Sequence, residues 1–161
     1  MSEMDVLVNY LEDKGLKLEV KWETNDYAGY YPPFLPHIIA KDVENKLFLF
    51  YQLLEKINDT KVKDGIYNLE LAKAFSKMHL SYNSVSFIVI PQQKVKGFEK
   101  ADTAYETLRW FYMLCENLGY GILLIHDDEV RQIKPAVIDE FIEKKKIYSM
   151  ETSNKQKKTH S

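Results

Sequence analysis

Two acids and a lysine, Asp42, Glu55 and Lys56, bracket the apolar run from Leu47 to Leu54. Carboxylates so placed suggest cation chemistry, because Mg²⁺ is hard and takes one or two carboxylate ligands. Asp42 also opens a polar turn, Asp42 to Asn45, and a turn needs no further reason for an aspartate. A second group, Glu19, Lys21 and Glu23, falls on one face of an alternating stretch; it forms either a polar cluster or an ordinary exposed strand face. The histidines, His37, His79, His126 and His160, have none of the recurrent spacing that a zinc site requires. His126 precedes Asp127 and Asp128 at the end of an apolar run. Parallel sheets often carry functional groups there, and a strand-end turn accounts for the same residues. Cys115 lies on the apolar stripe of a helix, which argues against a nucleophile. Gly119 and Gly121 flank a strand start and do not make a phosphate loop.

The elements that must position these residues follow from hydrophobic spacing. Met4, Leu7, Val8 and Leu11 recur at helical intervals and Gly15 supplies a stop, predicting a helix over Met4 to Lys14. Leu16 to Glu23 alternates and reads as a half-exposed strand. Gly29 and Pro32, Pro33 and Pro36 make 25–36 irregular. His37 to Lys41 and Lys46 to Leu54 form a hairpin. The polar stretch from Asn58 to Asn68 connects, and Leu69, Ala72, Phe75 and Met78 mark the next helix. Ser84 to Pro91 and Tyr120 to His126 are dense apolar runs suited to strands buried on both faces. Between them, Asp102 or Thr103 caps a helix whose Ala104, Leu108, Phe111, Cys115 and Leu118 align. Pro135 opens a last helix carrying Val137, Ile138, Phe141 and Ile142.

The resulting order, α-β-β-β-α-β-α-β-α, together with the hairpin from Leu35 to Lys56, resembles the αβββαβ core of the PD-(D/E)XK, restriction-endonuclease-like nucleases. The resemblance runs from Met4 to His126 and implies an α/β domain with a mixed sheet, here with an extra C-terminal helix and a basic tail. In that family a Pro-Asp pair opens one strand and a Glu-x-Lys or Asp-x-Lys triplet closes the next. By position the metal-binding acid becomes His37, after Pro36, and the triplet becomes Tyr51-Gln52-Leu53. Glu12 matches the acid that the family often carries on its first helix. The literal Glu19-Val20-Lys21 lies one strand too early. The resemblance thus implies a nuclease frame without its chemistry and no cofactor. Mg²⁺ enters only if Asp42, Glu55 and Lys56 act as a shifted motif, which a bulge would have to bring into register. A second resemblance, to tRNA-splicing endonuclease subunits, rests on a helix followed by strands and on His37 ahead of a strand. The family's Lys-Phe-Gly strand and later lysine have no match here.

Composition sets the remaining bounds. A chain of 161 residues is expected to be one domain, 1–148, followed by a disordered basic tail, 149–161. No apolar run approaches the roughly 20 residues that span a bilayer, and one cysteine suits a reducing cytoplasm. Richness in lysine, tyrosine and isoleucine fits an archaeal or viral source. Lys144, Lys145, Lys146, Lys155, Lys157 and Lys158 stand against Glu151 alone, a surplus of five positive charges, so the net charge of −2 leaves the body near −7. An acidic body lacks the basic face of a strong nucleic-acid binder. Lys155, Lys157 and Lys158 still offer salt-sensitive attraction to phosphate, and Tyr30, Tyr31 and Phe34 offer stacking surfaces. The expected partners are therefore nucleic acid or a protein, with no membrane. The competing reading is a structural, homodimeric subunit whose Phe48 and Phe50 cover the interface.

Overall fold

A computed structural model describes residues 2–21, 36–54, 65–74, 83–91, 102–138 and 146–151. The first helix, α1 (Glu3–Asp13), starts where Ser2 and Asp5 cap each other: Asp5 N–H donates to Ser2 Oγ (3.1 Å) and Ser2 N–H to Asp5 Oδ2 (3.3 Å). It stops at Gly15, whose φ of 80° lies in the left-handed region that glycine enters without strain. Gly15 N–H donates to Glu12 O and Leu16 N–H to Leu11 O, which satisfies the last carbonyls and seats Leu16 beside Leu11 in the core.

Three strands follow as an antiparallel meander, β1 (Lys17–Lys21), β2 (Ile38–Asp42) and β3 (Leu47–Leu53). A helix over 65–74, α2, leads to β4 (Asn83–Pro91), and α3 (Asp102–Leu118) leads to β5 (Gly121–His126). Strands β3, β4 and β5 run parallel, and a two-residue turn at Asp127 and Asp128 returns the chain as β6 (Glu129–Lys134). The sheet order is β1-β2-β3-β4-β5-β6. Ala136–Val137 (β7) and Ile147–Tyr148 (β8) pair separately.

Period-two alternation divides the core. Ile38, Ala40, Leu49, Tyr51, Val85, Phe87 and Val89 pack against Val6, Leu7 and Leu11 of α1. Phe48, Phe50, Ile88, Ile90 and Ile122 pack against Ile66 and Leu69 of α2 and Phe111 and Cys115 of α3. Strands β3 and β4 are covered on both sides, which is why they read as unbroken apolar runs.

Several expectations change. Phe48 and Phe50 lie beneath the helices and are not at an interface. The stretch after Pro135 is strand, because Val137 N–H donates to Gly119 O and Ala136 pairs with Tyr148; the predicted Phe141 and Ile142 lie outside the described residues. The expected order lacks β6 altogether. Helix α2 already includes 65–68, part of the polar stretch from Asn58 to Asn68 expected to be a connection. Strict alternation in β1 breaks at Glu19, where the pairing slips by one residue between Leu18 and Val20. The boundary after Tyr148 falls inside packed structure, since Met150 is fully buried.

Candidate functional site

His37 sits just ahead of β2, and the hairpin register sets Ile38 opposite Tyr51, so the expected acid and triplet positions do adjoin. Their chemistry is committed elsewhere. Leu53 N–H donates to His37 Nδ1 at 3.1 Å. A backbone N–H can only donate, so this bond requires Nδ1 without a proton. Tyr51 is fully buried on the α1 side and stacks on Phe87, with centroids 5.5 Å apart and planes at 12°. Its hydroxyl donates to Met150 Sδ at 3.4 Å. Burial, with Tyr148, Tyr10 and Asp42 adding, holds the Tyr51 phenol well above its ordinary 10. Gln52 faces α2 and is buried, and its Oε1 has no hydrogen-bond partner among the described residues.

Asp42 stands at the other end of β2, about 16 Å from His37 for a strand of five residues. Its carboxylate is buried and accepts from Asn45 N–H (3.2 Å), Asn45 Nδ2 (2.8 Å) and the Tyr148 hydroxyl (2.8 Å). These bonds hold the turn, in which Lys46 adopts φ 55°. Asp42 is therefore occupied as a structural acceptor. Glu12 is exposed on α1. No group of three His, Cys, Asp or Glu side chains among the described residues could hold a metal ion. Glu55, Lys56, Tyr30, Tyr31, Phe34, Lys155, Lys157 and Lys158 lie outside the described residues.

His126 and Asp127 approach to 3.6 Å at an exposed turn. Cys115 is buried, and burial pushes its thiol up to about 12 although Lys134 pulls the other way. At neutral pH it stays a thiol and a poor nucleophile. A groove of about 380 Å³ opens between α1 and the β5–β6 turn, with Asp13, Asp128 and Glu129 on its walls. Those carboxylates repel phosphate. Tyr10, also on this wall, has its phenol pushed up to about 12 by burial, with Glu151 adding.

The residues that sequence reading missed are Tyr148, Met150 and Gln132. Met150 N–H donates to Gln132 Oε1 (2.7 Å), while Gln132 Nε2 donates to Ser149 Oγ (3.0 Å). With the Tyr148–Asp42 and Tyr51–Met150 bonds, they fasten 146–151 across the α1 side of the sheet. The available signal was thin: two large apolar residues alternating with Ile147 and Ser149 after a lysine run. Searches of protein-family models, curated proteins and solved structures return no match for this chain.

Proposed function

We propose that this chain is a catalytically inactive, nuclease-like domain that binds nucleic acid. One observation carries the reading. The chain combines an α-β-β-β-α-β element order with a hairpin that sets Ile38, next to His37, opposite Tyr51, and the nuclease resemblance assigns the catalytic positions to His37, Tyr51, Gln52 and Leu53. Tyr51 and Leu53 cannot bind Mg²⁺, and His37 is engaged with the backbone of Leu53. The frame supports recognition while the reaction is gone. Fold-level likeness transfers function weakly, so the binding surface has to be argued separately.

The residues we assign to binding, from their chemistry in the sequence, are Lys155, Lys157 and Lys158 for phosphate and Tyr30, Tyr31 and Phe34 for bases, while the α1 groove is acidic. Lysines supply phosphate attraction and the aromatics supply stacking on unpaired bases. The test is fluorescence anisotropy of labelled duplex, single-stranded and branched DNA near 150 mM salt, about the physiological range. Saturable binding is expected. Replacing Lys155, Lys157 and Lys158 with alanine should flatten the slope of log affinity against log salt by about 2 to 3. Flat titrations on all three DNAs would overturn the reading and move the search to protein partners. Cleavage with Mg²⁺ or Mn²⁺ would overturn the claim of inactivity.

A further inference from the structure

The chain's two arginines, Arg109 and Arg131, both lie on the flank where α3 meets β6. Pairing fixes the face of each β6 residue, because residues directly opposite in an antiparallel pair share a side of the sheet. Arg131 is opposite Leu124, which packs against the α2–α3 cluster, so Arg131 stands on the α3 side. Strict alternation from Arg131 would send Lys134 to the α1 side. The slip in β6 prevents this. Gln132 pairs with Leu123 and Lys134 with Ile122, which leaves Ile133 as an extra residue and brings Lys134 to the side of Arg131. Bulges serve to re-aim a side chain in this way.

On α3, Phe111 and Cys115 are buried in the core, and Tyr112 meets β6, where the Lys134 ammonium lies 6.0 Å from its ring centre. Arg109 is one turn before Tyr112, a neighbour on the helix surface, and is exposed, as is Arg131. The Tyr112 ring is 38% exposed and Ile133 45%. Among the described residues none of the three cations has a carboxylate partner. Buried Lys134 makes one long hydrogen bond, 3.4 Å to Pro135 O. Elsewhere Lys17 pairs with Glu19 and Lys73 with Glu70. Exposed Glu116, one turn beyond Tyr112, and Glu129, two residues before Arg131, bound the flank and confine its positive charge to a short stretch.

Three unpaired cations around an accessible ring suit an anion that also carries a stacking face. Guanidinium groups bind phosphate through paired N–H donors, and exposed aromatic rings stack on unpaired bases. We propose that the α3–β6 flank binds a short stretch of single-stranded nucleic acid, with Arg109 and Arg131 on phosphates, Lys134 adding charge and Tyr112 stacking on a base. A duplex fits less well, because its bases are stacked on one another and leave no face for Tyr112. This inference rests on the nucleic-acid reading above and adds to it a surface on the folded body, separate from Lys155, Lys157 and Lys158.

The test is fluorescence anisotropy of a labelled oligothymidylate and a labelled duplex with the full chain near 150 mM salt, about the physiological range. The single strand should bind more tightly. Arg109→Gln with Arg131→Gln should weaken it at least tenfold and flatten log affinity against log salt by about 1.4, at about 0.7 for each phosphate contact on a single strand. Tyr112→Leu should weaken it about tenfold at unchanged salt slope. Urea midpoints should match wild type, since all three side chains are exposed. Wild-type binding that these variants leave within twofold would overturn the flank and spare the nucleic-acid reading. A wild-type chain that binds neither DNA would overturn both. Equal displacement by polyglutamate would make the flank a general anion surface and overturn the base contact. Should a variant not fold, photocrosslinking of the wild-type chain to an iododeoxyuridine-substituted oligonucleotide gives a second route. A crosslink at Tyr112 is expected, and crosslinks confined to other residues would overturn the proposal.

Discussion

Replacing Tyr148 with phenylalanine removes one oxygen from the interior and tests how the strap, residues 146–151, is held. That hydroxyl donates at 2.8 Å to Asp42, and both residues are at least nine-tenths buried. Hydrogen bonds to charged groups contribute about 1.5–3 kcal/mol. Asp42 keeps its two bonds from Asn45, so the carboxylate is not orphaned and the lower half of that range applies. Tyr148→Phe should therefore destabilise by about 2 kcal/mol. With a urea slope near 2 kcal/mol/M, the midpoint falls by about 1 M at unchanged slope. Removing the ring as well, in Tyr148→Ala, should cost about 3–5 kcal/mol. The assay is urea denaturation followed by circular dichroism for the wild type, Tyr148→Phe, Asp42→Asn and the double variant. The double variant should be less destabilised than the sum of the singles by about 1 kcal/mol, since the two groups contact directly. A Tyr148→Phe midpoint within the error of wild type, or strict additivity, would refute the bond as a fastener.

Other outcomes follow from particular contacts. Gly121→Ala would place a Cβ 2.4 Å from Phe87 Cε1 and 3.0 Å from Ala136 N, so it should destabilise by about 2–3 kcal/mol in the same denaturation assay. Gly119→Ala meets a φ of 77° and a Cβ contact of 3.2 Å to Val137, and should lower stability by about 1–2 kcal/mol without altering the secondary-structure spectrum. The Tyr10 phenol is raised from 10.0 to about 12 in the fold, so the folded chain holds its proton more tightly than the unfolded one. Its stabilising contribution is present below pH 10 and disappears as pH rises through about 12; ultraviolet titration of wild type against Tyr10→Phe should show the missing late phase there. Glu12→Gln should change neither stability nor any divalent-cation response in calorimetry, because the residue is exposed and joins no metal-binding group among the described residues.

The two inner strands β4 and β5 were legible because Val85 to Ile90 and Ile122 to Ile125 are apolar at every position but Ser86, which only burial on both faces explains. The glycine stops of α1 and α3 were legible for the same kind of reason: one residue type fits the required backbone angle. Strand β6 was not. Glu129-Val130-Arg131-Gln132-Ile133-Lys134 alternates only until its register slips, and the slip turns Lys134 toward α3, where its ammonium lies 6.0 Å from the Tyr112 ring centre. Pro135 misled because proline opens a strand as readily as a helix when its missing donor goes unneeded. At the candidate site, Asp42 was readable as a turn acid. Its partner Tyr148 was not, since no local pattern links residues so far apart.

That separation also has a kinetic meaning. The Asp42–Tyr148 and Tyr51–Met150 bonds span 106 and 99 positions, so each closes a loop containing most of the sheet. Loop closure of that length waits until the intervening strands are in place. Weakening either bond should therefore raise the unfolding rate and leave the folding rate unchanged, which a chevron measurement on Tyr148→Phe checks. Interactions formed so late slow escape from the native state and leave the approach to it unchanged. On that reasoning the strap governs how long the folded molecule persists, and the meander and the parallel strands govern how quickly it forms.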